Sequence, residues 1–177
     1  MPAGPSDVPD DDVRPRHVHT AEDLAERLAE VLTTRSVIVC VGNELIGDDG
    51  AACIVARTLA DTVPWPIFDA QTAPESFLMK IVNLKPDVVV LVDALGMRAE
   101  PGTVAVLPSR KITGQGPSTH GPAPIAFLDA IQMMHPCRTL VLGIEPEAGV
   151  FGTGLSETVA ASVDLIVQAF RIVAARF

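Results

Sequence analysis

Two uninterrupted apolar runs constrain this chain's fold more than anything else in it: residues 37–41, Val-Ile-Val-Cys-Val, and residues 88–92, Val-Val-Val-Leu-Val. β-Branched side chains dominate both and no charge interrupts either, as in strands buried on both faces. Such strands need helices above and below them, and the flanking sequence supplies these. Thr20 with Asp23 reads as a capping pair before a helical stripe of Leu24, Leu28, Val31 and Leu32. A second helix follows the first run, over about residues 48–61. Pro74 and Glu75 suit the first turn of a third, with Phe77, Leu78, Ile81 and Val82 on its apolar face. Residues 122–134 form a fourth helix, and Ser156 caps a long last one striped with Val159, Val163, Ile166, Phe170 and Val173. Further strands are expected at residues 66–69, 103–107 and 138–142, with 103–107 at the sheet edge. Strands alternating with helices predict an α/β fold: one doubly wound, mostly parallel twisted sheet of about five strands, with helices on both faces.

A length of 177 residues supports one domain with a sizeable core, and 48% hydrophobic content agrees. Residues 1–19 are the exception. Pro2, Pro5, Pro9 and Pro15, with Asp7, Asp10, Asp11 and Asp12, leave too little apolar area to fold, so this stretch reads as a flexible tail before a single domain at 20–177. His17 and His19 close the tail as an H-x-H pair, read as solvated rather than metal-binding. The net charge of −9, with no basic run, argues against nucleic acid or an anionic membrane surface as partner. No apolar run approaches the roughly 20 residues of a membrane span, and the acidic N-terminus is unlike a signal peptide. Cys40, Cys53 and Cys137 are an odd number, far apart and set in apolar sequence, as buried reduced thiols would be. A cytoplasmic protein is expected, with a monomer as the default state.

The chemistry gathers at strand ends. Residues 42–50, Gly-Asn-Glu-Leu-Ile-Gly-Asp-Asp-Gly, follow the first run directly. Gly42 and Gly47 have the interval of a phosphate loop, but Asp48 stands where a lysine would, and it repels an anion. The acidic pair instead suits a cation at the carboxyl end of a strand, where open α/β sheets bind ligands. Asp93 closes the second run, and His120 lies in the loop after the expected edge strand. Asp49, Asp93 and His120 make a hard-to-borderline donor set suited to a divalent first-row metal with open positions. Asp48 is assigned to capping the next helix and Asp49 to the site, although adjacency alone leaves the two interchangeable. Asp69 and Glu75 fall on the same rim. Asp69 serves as a partner to the site, as an acid/base, or simply as a tie for its own turn. His135 looks structural. Nucleophilic catalysis has little support: there is no G-x-S-x-G elbow, and no base is evident beside the cysteines.

Taken together these elements resemble a known family. They are Gly42-Asn43-x-Leu45-x-Gly47-Asp48-Asp49-Gly50, Asp69-x-x-Thr72-Ala73-Pro74-Glu75, Val92-Asp93-Ala94, Ser118-Thr119-His120 and Leu142-Gly143-Ile144-x-Pro146. In this order they are similar to the [NiFe]-hydrogenase maturation endopeptidases, over roughly residues 36–170. The resemblance implies a protease that removes a C-terminal extension from the hydrogenase large-subunit precursor once nickel has been inserted. It implies that Asp49, Asp93 and His120 contact the nickel, which arrives with the substrate and serves recognition. Either the metal polarises the carbonyl or activates water, or a carboxylate among Asp69, Asp93 and Asp49 acts as general base. Four positions depart from the family's usual pattern. Ala70 and Gln71 replace glycines, Ala52 often replaces another, and Glu145 stands where glutamine is common, adding an acid to the rim. Two rivals compete with this reading: a non-catalytic nickel-binding assembly module on the same scaffold, and a nucleotide or small-molecule enzyme. The second lacks a glycine fingerprint and a basic phosphate clamp.

Overall fold

The computed structural model describes residues 16–109, 123–147 and 149–177. Its strands are β1 (Arg16–Val18), β2 (Ser36–Val41), β3 (Ile67–Gln71), β4 (Val88–Ala94), β5 (Val104–Pro108) and β6 (Arg138–Ile144). They form a single six-stranded sheet in the order β1-β5-β6-β4-β2-β3. Pairing is parallel from β3 through β2 and β4 to β6, and antiparallel from β6 to β5 and from β5 to β1. Helices α1 (Ala21–Ala29), α2 (Ala51–Leu59), α3 (Leu78–Asn83), α4 (Ala123–Met134) and α5 (Glu157–Ala174) complete the domain. The doubly wound, mostly parallel sheet expected from the sequence is what forms.

Two expectations change at the β1 edge. Residues 103–107 were expected to lie at the edge, yet β5 is covered by β1. Arg16–Val18, placed by composition in a flexible tail, pairs Arg16 with Val106, His17 with Ala105 and Val18 with Val104. The reason lies in the backbone. An uncovered β5 would present a row of unpaired amides and carbonyls, and three extended residues satisfy them whatever their side chains. Residues 1–15, the rest of the expected tail, lie outside the described residues.

The two apolar runs are buried throughout, and alternation explains why neither tolerates a charge. Ile38, Cys40, Val90, Val92 and Leu142 join the core under α1, α2 and α5. Val37, Val39, Val89, Leu91 and Val141 join the core under α3 and α4. Capping fixes the helix starts as the sequence indicated: Asp23 N donates to Thr20 Oγ1 at 3.1 Å, and Val159 N to Ser156 Oγ at 3.4 Å. Trp65 and Phe170 meet edge-on at 6.3 Å beneath α5, and Trp65 Nε1 donates to Thr33 O at 2.7 Å. Strands β2, β3, β4 and β6 all end on one rim, where β5 begins. That rim carries the acidic residues.

Candidate active site

The loop after β2 is folded tightly against itself. A Cβ on Gly42 would lie 2.2 Å from Asp49 O, so no larger residue fits without displacing the backbone at Asp49. The same carbonyl accepts from Asn43 N at 3.1 Å, and Asn43 Oδ1 accepts from Leu45 N at 3.0 Å. Gly47, at φ +52, reverses the chain into a 3-10 turn, Gly47–Gly50, that runs straight into α2. Both acids of the turn are buried, Asp48 at 1% exposure and Asp49 at 3%.

Their roles differ, and Asp48's is not the one expected. It does not cap α2, whose N-cap is Gly50 with no side-chain bond. Instead Asp48 Oδ1 accepts from Ser156 N at 2.7 Å, while Oδ2 accepts from Glu147 N at 2.9 Å and Ser156 Oγ at 3.0 Å. Both oxygens are therefore committed to tying the loop after β6, and the N-cap of α5, onto the rim. Hydrogen bonds to an ionised group contribute about 1.5–3 kcal/mol each, so this is a main fastening of the rim.

Asp93 is the penultimate residue of β4, 2% exposed and in register with Gly143 of β6. The turn carrying Asp49 packs against β4. Asp49 and Asp93 thus belong to contacting elements on one rim, as the sequence anticipated. By strand alternation Asp93 falls on the α3/α4 side of the sheet, with Val89 and Leu91.

Asp69 takes another position. It pairs in register with Cys40, and its carboxylate lies near enough to the Cys53 thiol on α2 to raise that thiol's pKa. Its Oδ1 is buried and has no hydrogen-bond partner among the described residues. Burial first, then the nearby Asp69 charge, push the Cys53 thiol up to about 12. Burial likewise raises the Cys40 thiol well above its ordinary range, with Cys53 and Asp69 adding to the effect. Burial alone raises Cys137. Thiols held protonated in this way are poor nucleophiles, in keeping with the sequence reading.

The remaining sequence candidates divide. His120, with Ser118 and Thr119, lies outside the described residues. Glu75 is exposed within a 3-10 turn, Pro74–Phe77, ahead of α3. His135 is structural, its Nε2 bonded to Pro86 O at 2.9 Å. Gln71 adopts φ +46, a left-handed conformation that costs a non-glycine residue about 1–2 kcal/mol. Glu145 does not add a free acid to the rim. Its Oε2 accepts from Met97 N at 2.5 Å and Ala99 N at 3.2 Å, clamping the loop that follows Asp93. No local sequence signal marked that role, because donors and acceptor are 46–48 residues apart. Among the described residues no group of three or more His, Cys, Asp or Glu is arranged to hold a metal. Asp49 and Asp93 supply two oxygen donors of the kind a divalent cation takes.

Fold and site together define a class: a doubly wound α/β domain with buried acids on its carboxyl rim. Residues 53–171 match a family model described as hydrogenase maturation protease. The chain belongs to that family and is a protease. The matched stretch includes Asp69, Asp93 and His120, while Asp49 lies just before it. The hydrogenase 3 maturation protease of Escherichia coli K12 is 28% identical over 134 residues, covering 75% of this chain and 86% of that one. The crystal structure of a [NiFe] hydrogenase maturation protease, HycI, from Thermococcus kodakarensis aligns with a TM-score of 0.77 at 27% identity, over 84% of this chain and 99% of that one. The solution structure of the endopeptidase HycI from Escherichia coli aligns with a TM-score of 0.69 at 27% identity, over 77% and 88%.

Proposed function

We propose that this chain is the endopeptidase that removes the C-terminal extension of a [NiFe]-hydrogenase large-subunit precursor after nickel insertion. In this reading nickel travels with the precursor and serves for recognition. One observation carries the assignment of residues: Asp49 and Asp93 are buried on contacting elements of one rim, while Asp48 beside them is spent on holding the loop before α5. Asp49 and Asp93, joined by His120, are then the side chains that meet the nickel. Nickel bound there would supply a positive charge that recognises the loaded precursor and orients its scissile peptide.

The remaining chemistry falls to the chain. Hydrolysis forms a bond from water oxygen to the peptide carbonyl carbon and breaks the carbon–nitrogen bond. A carboxylate at the rim takes the water proton, and the departing nitrogen receives it. Asp93 or Asp49 fits that task, and Asp69, in register with Cys40 and beside the Cys53 thiol, fits a supporting place better than a reacting one.

The test uses the purified chain and a nickel-loaded precursor, with the precursor's mass measured over time. Loss of the extension is expected with the wild-type chain. Asp93→Asn and His120→Ala should slow processing by about 10²-fold or more, the scale of general acid–base groups, with melting temperatures within a few degrees of wild type. A large melting shift would assign these residues to structure instead. Nickel binding without any shortening of the precursor would replace the protease with a non-catalytic assembly module.

A further inference from the structure

We propose that Leu45 and Phe151, with Val150, form an apolar seat at the acidic rim that grips an apolar stretch of the precursor beside the scissile peptide. That the occupant is the precursor rests on the protease reading above.

Two loops make the seat. In the sheet order β6-β4-β2, the loops after β6 and after β2 flank the strand whose end carries Asp93. They join through an antiparallel bridge between Ile46 and Phe151, and Gly152 N donates to Leu45 O at 2.8 Å. Asp48 fastens the neck of the loop after β6. Its carboxylate accepts from Glu147 N at one end, and from Ser156 N and Oγ at the other. Within that loop Thr153 Oγ1 donates to Val150 O at 2.8 Å. The loop after β2 is held as well, because Asp49 N donates to Ile46 O at 3.1 Å.

What this framework holds outward is apolar. Phe151 is 76% exposed, Leu45 61% and Val150 53%. Residues 149–155 carry no charged side chain, on a chain that is 20% charged. A single exposed apolar side chain needs no explanation, but three on two loops bonded to each other mark a contact surface. Holding them in place beforehand removes the ordering cost that weakens binding by loose loops.

Proximity to Asp49 identifies the occupant. The turn closed by the Ile46–Asp49 bond keeps those Cα atoms within about 7 Å, and one more residue adds about 3.8 Å. Leu45 therefore stands no more than about 11 Å from Asp49, a span of about three extended residues. A peptide bond brought to Asp49 has its near neighbours within reach of Leu45 and Phe151. A second copy of this chain fits less well. Three side chains offer on the order of a few hundred Å², against roughly 800 Å² per partner in a stable interface, and a copy seated there would cover the loop that carries Asp49.

The experiment immobilises the full chain, measures its affinity for the nickel-loaded precursor, and follows cleavage to separate KM from kcat. Phe151→Ser and Leu45→Ser should each weaken binding and raise KM about tenfold, with kcat within about threefold of wild type. Their melting temperatures should match the wild-type value, because both side chains are mostly exposed. Phe151→Leu keeps an apolar side chain and should recover binding to within about threefold of wild type. Wild-type binding in both serine variants overturns the proposal. So does a loss of binding that comes with a lower melting temperature and that Phe151→Leu fails to recover. A wild-type dimer that Phe151→Ser dissociates, with precursor binding unchanged, gives the patch to a second copy and also overturns it. If binding is indifferent to Phe151 and Leu45 while the precursor is still shortened, the seat falls and the protease stands. Phe151-dependent binding without any shortening of the precursor keeps the seat and removes the protease.

Discussion

At the residue scale the rim depends on side chains doing unlike work in adjacent positions. Asp48 and Asp49 are indistinguishable by type, and only the partners of Asp48, 99 and 108 residues away, separate them. No local pattern carries information across that distance, which explains why Asp48 was read as a cap for α2. Asp48→Ala removes a buried carboxylate that accepts from Glu147 and Ser156, so a loss of about 3 kcal/mol is expected in urea unfolding. Asp48→Ala within 0.5 kcal/mol of wild type would show that the loop holds without it. Gly42→Ala forces a methyl against the Asp49 carbonyl, so it should lower stability and precursor processing together. Processing at the wild-type rate would show that Asp49 need not be held where the loop now places it.

At the scale of elements, legibility followed burial. β2 and β4 were plain in the sequence because both of their faces are covered, which permits no polar residue. α5 was plain because its stripe must reach a core, and Phe170 within it is fully buried. Phe170→Ala should cost about 3–5 kcal/mol and loosen the Trp65 contact, read as a fall in the urea midpoint and a change in Trp fluorescence. A loss under 1 kcal/mol would mean that α5 is not a principal cover of that core. β1 was hidden for the opposite reason. It is three residues long and pairs through its backbone, so neither composition nor periodicity could register it. The Glu145 clamp was hidden too, since a carboxylate bonded to amides of a distant loop looks like any other acid on paper.

For the whole molecule, the buried thiols set a pH dependence. Cys53 is held up to about 12, so in the folded chain it stays protonated while the unfolded chain ionises at the ordinary thiol value of about 8.5. The folded state then binds more protons than the unfolded state over that window. Stability should therefore be full below about pH 8.5 and fall as pH rises toward 12, with Cys40 adding in the same direction. Cys53→Ala should flatten the fall in urea midpoint between pH 8 and 10. An unchanged slope would mean that Cys53 does not carry the alkaline dependence.

The central claim also belongs to the whole molecule: a hydrogenase maturation protease whose acidic rim meets nickel on the precursor before the peptide is cut. Nickel-loaded and nickel-free precursor, each incubated with the purified chain and followed by mass, put that claim to the most direct trial. Rapid loss of the extension from the loaded precursor alone is the predicted result, and equal cleavage of both forms would contradict it.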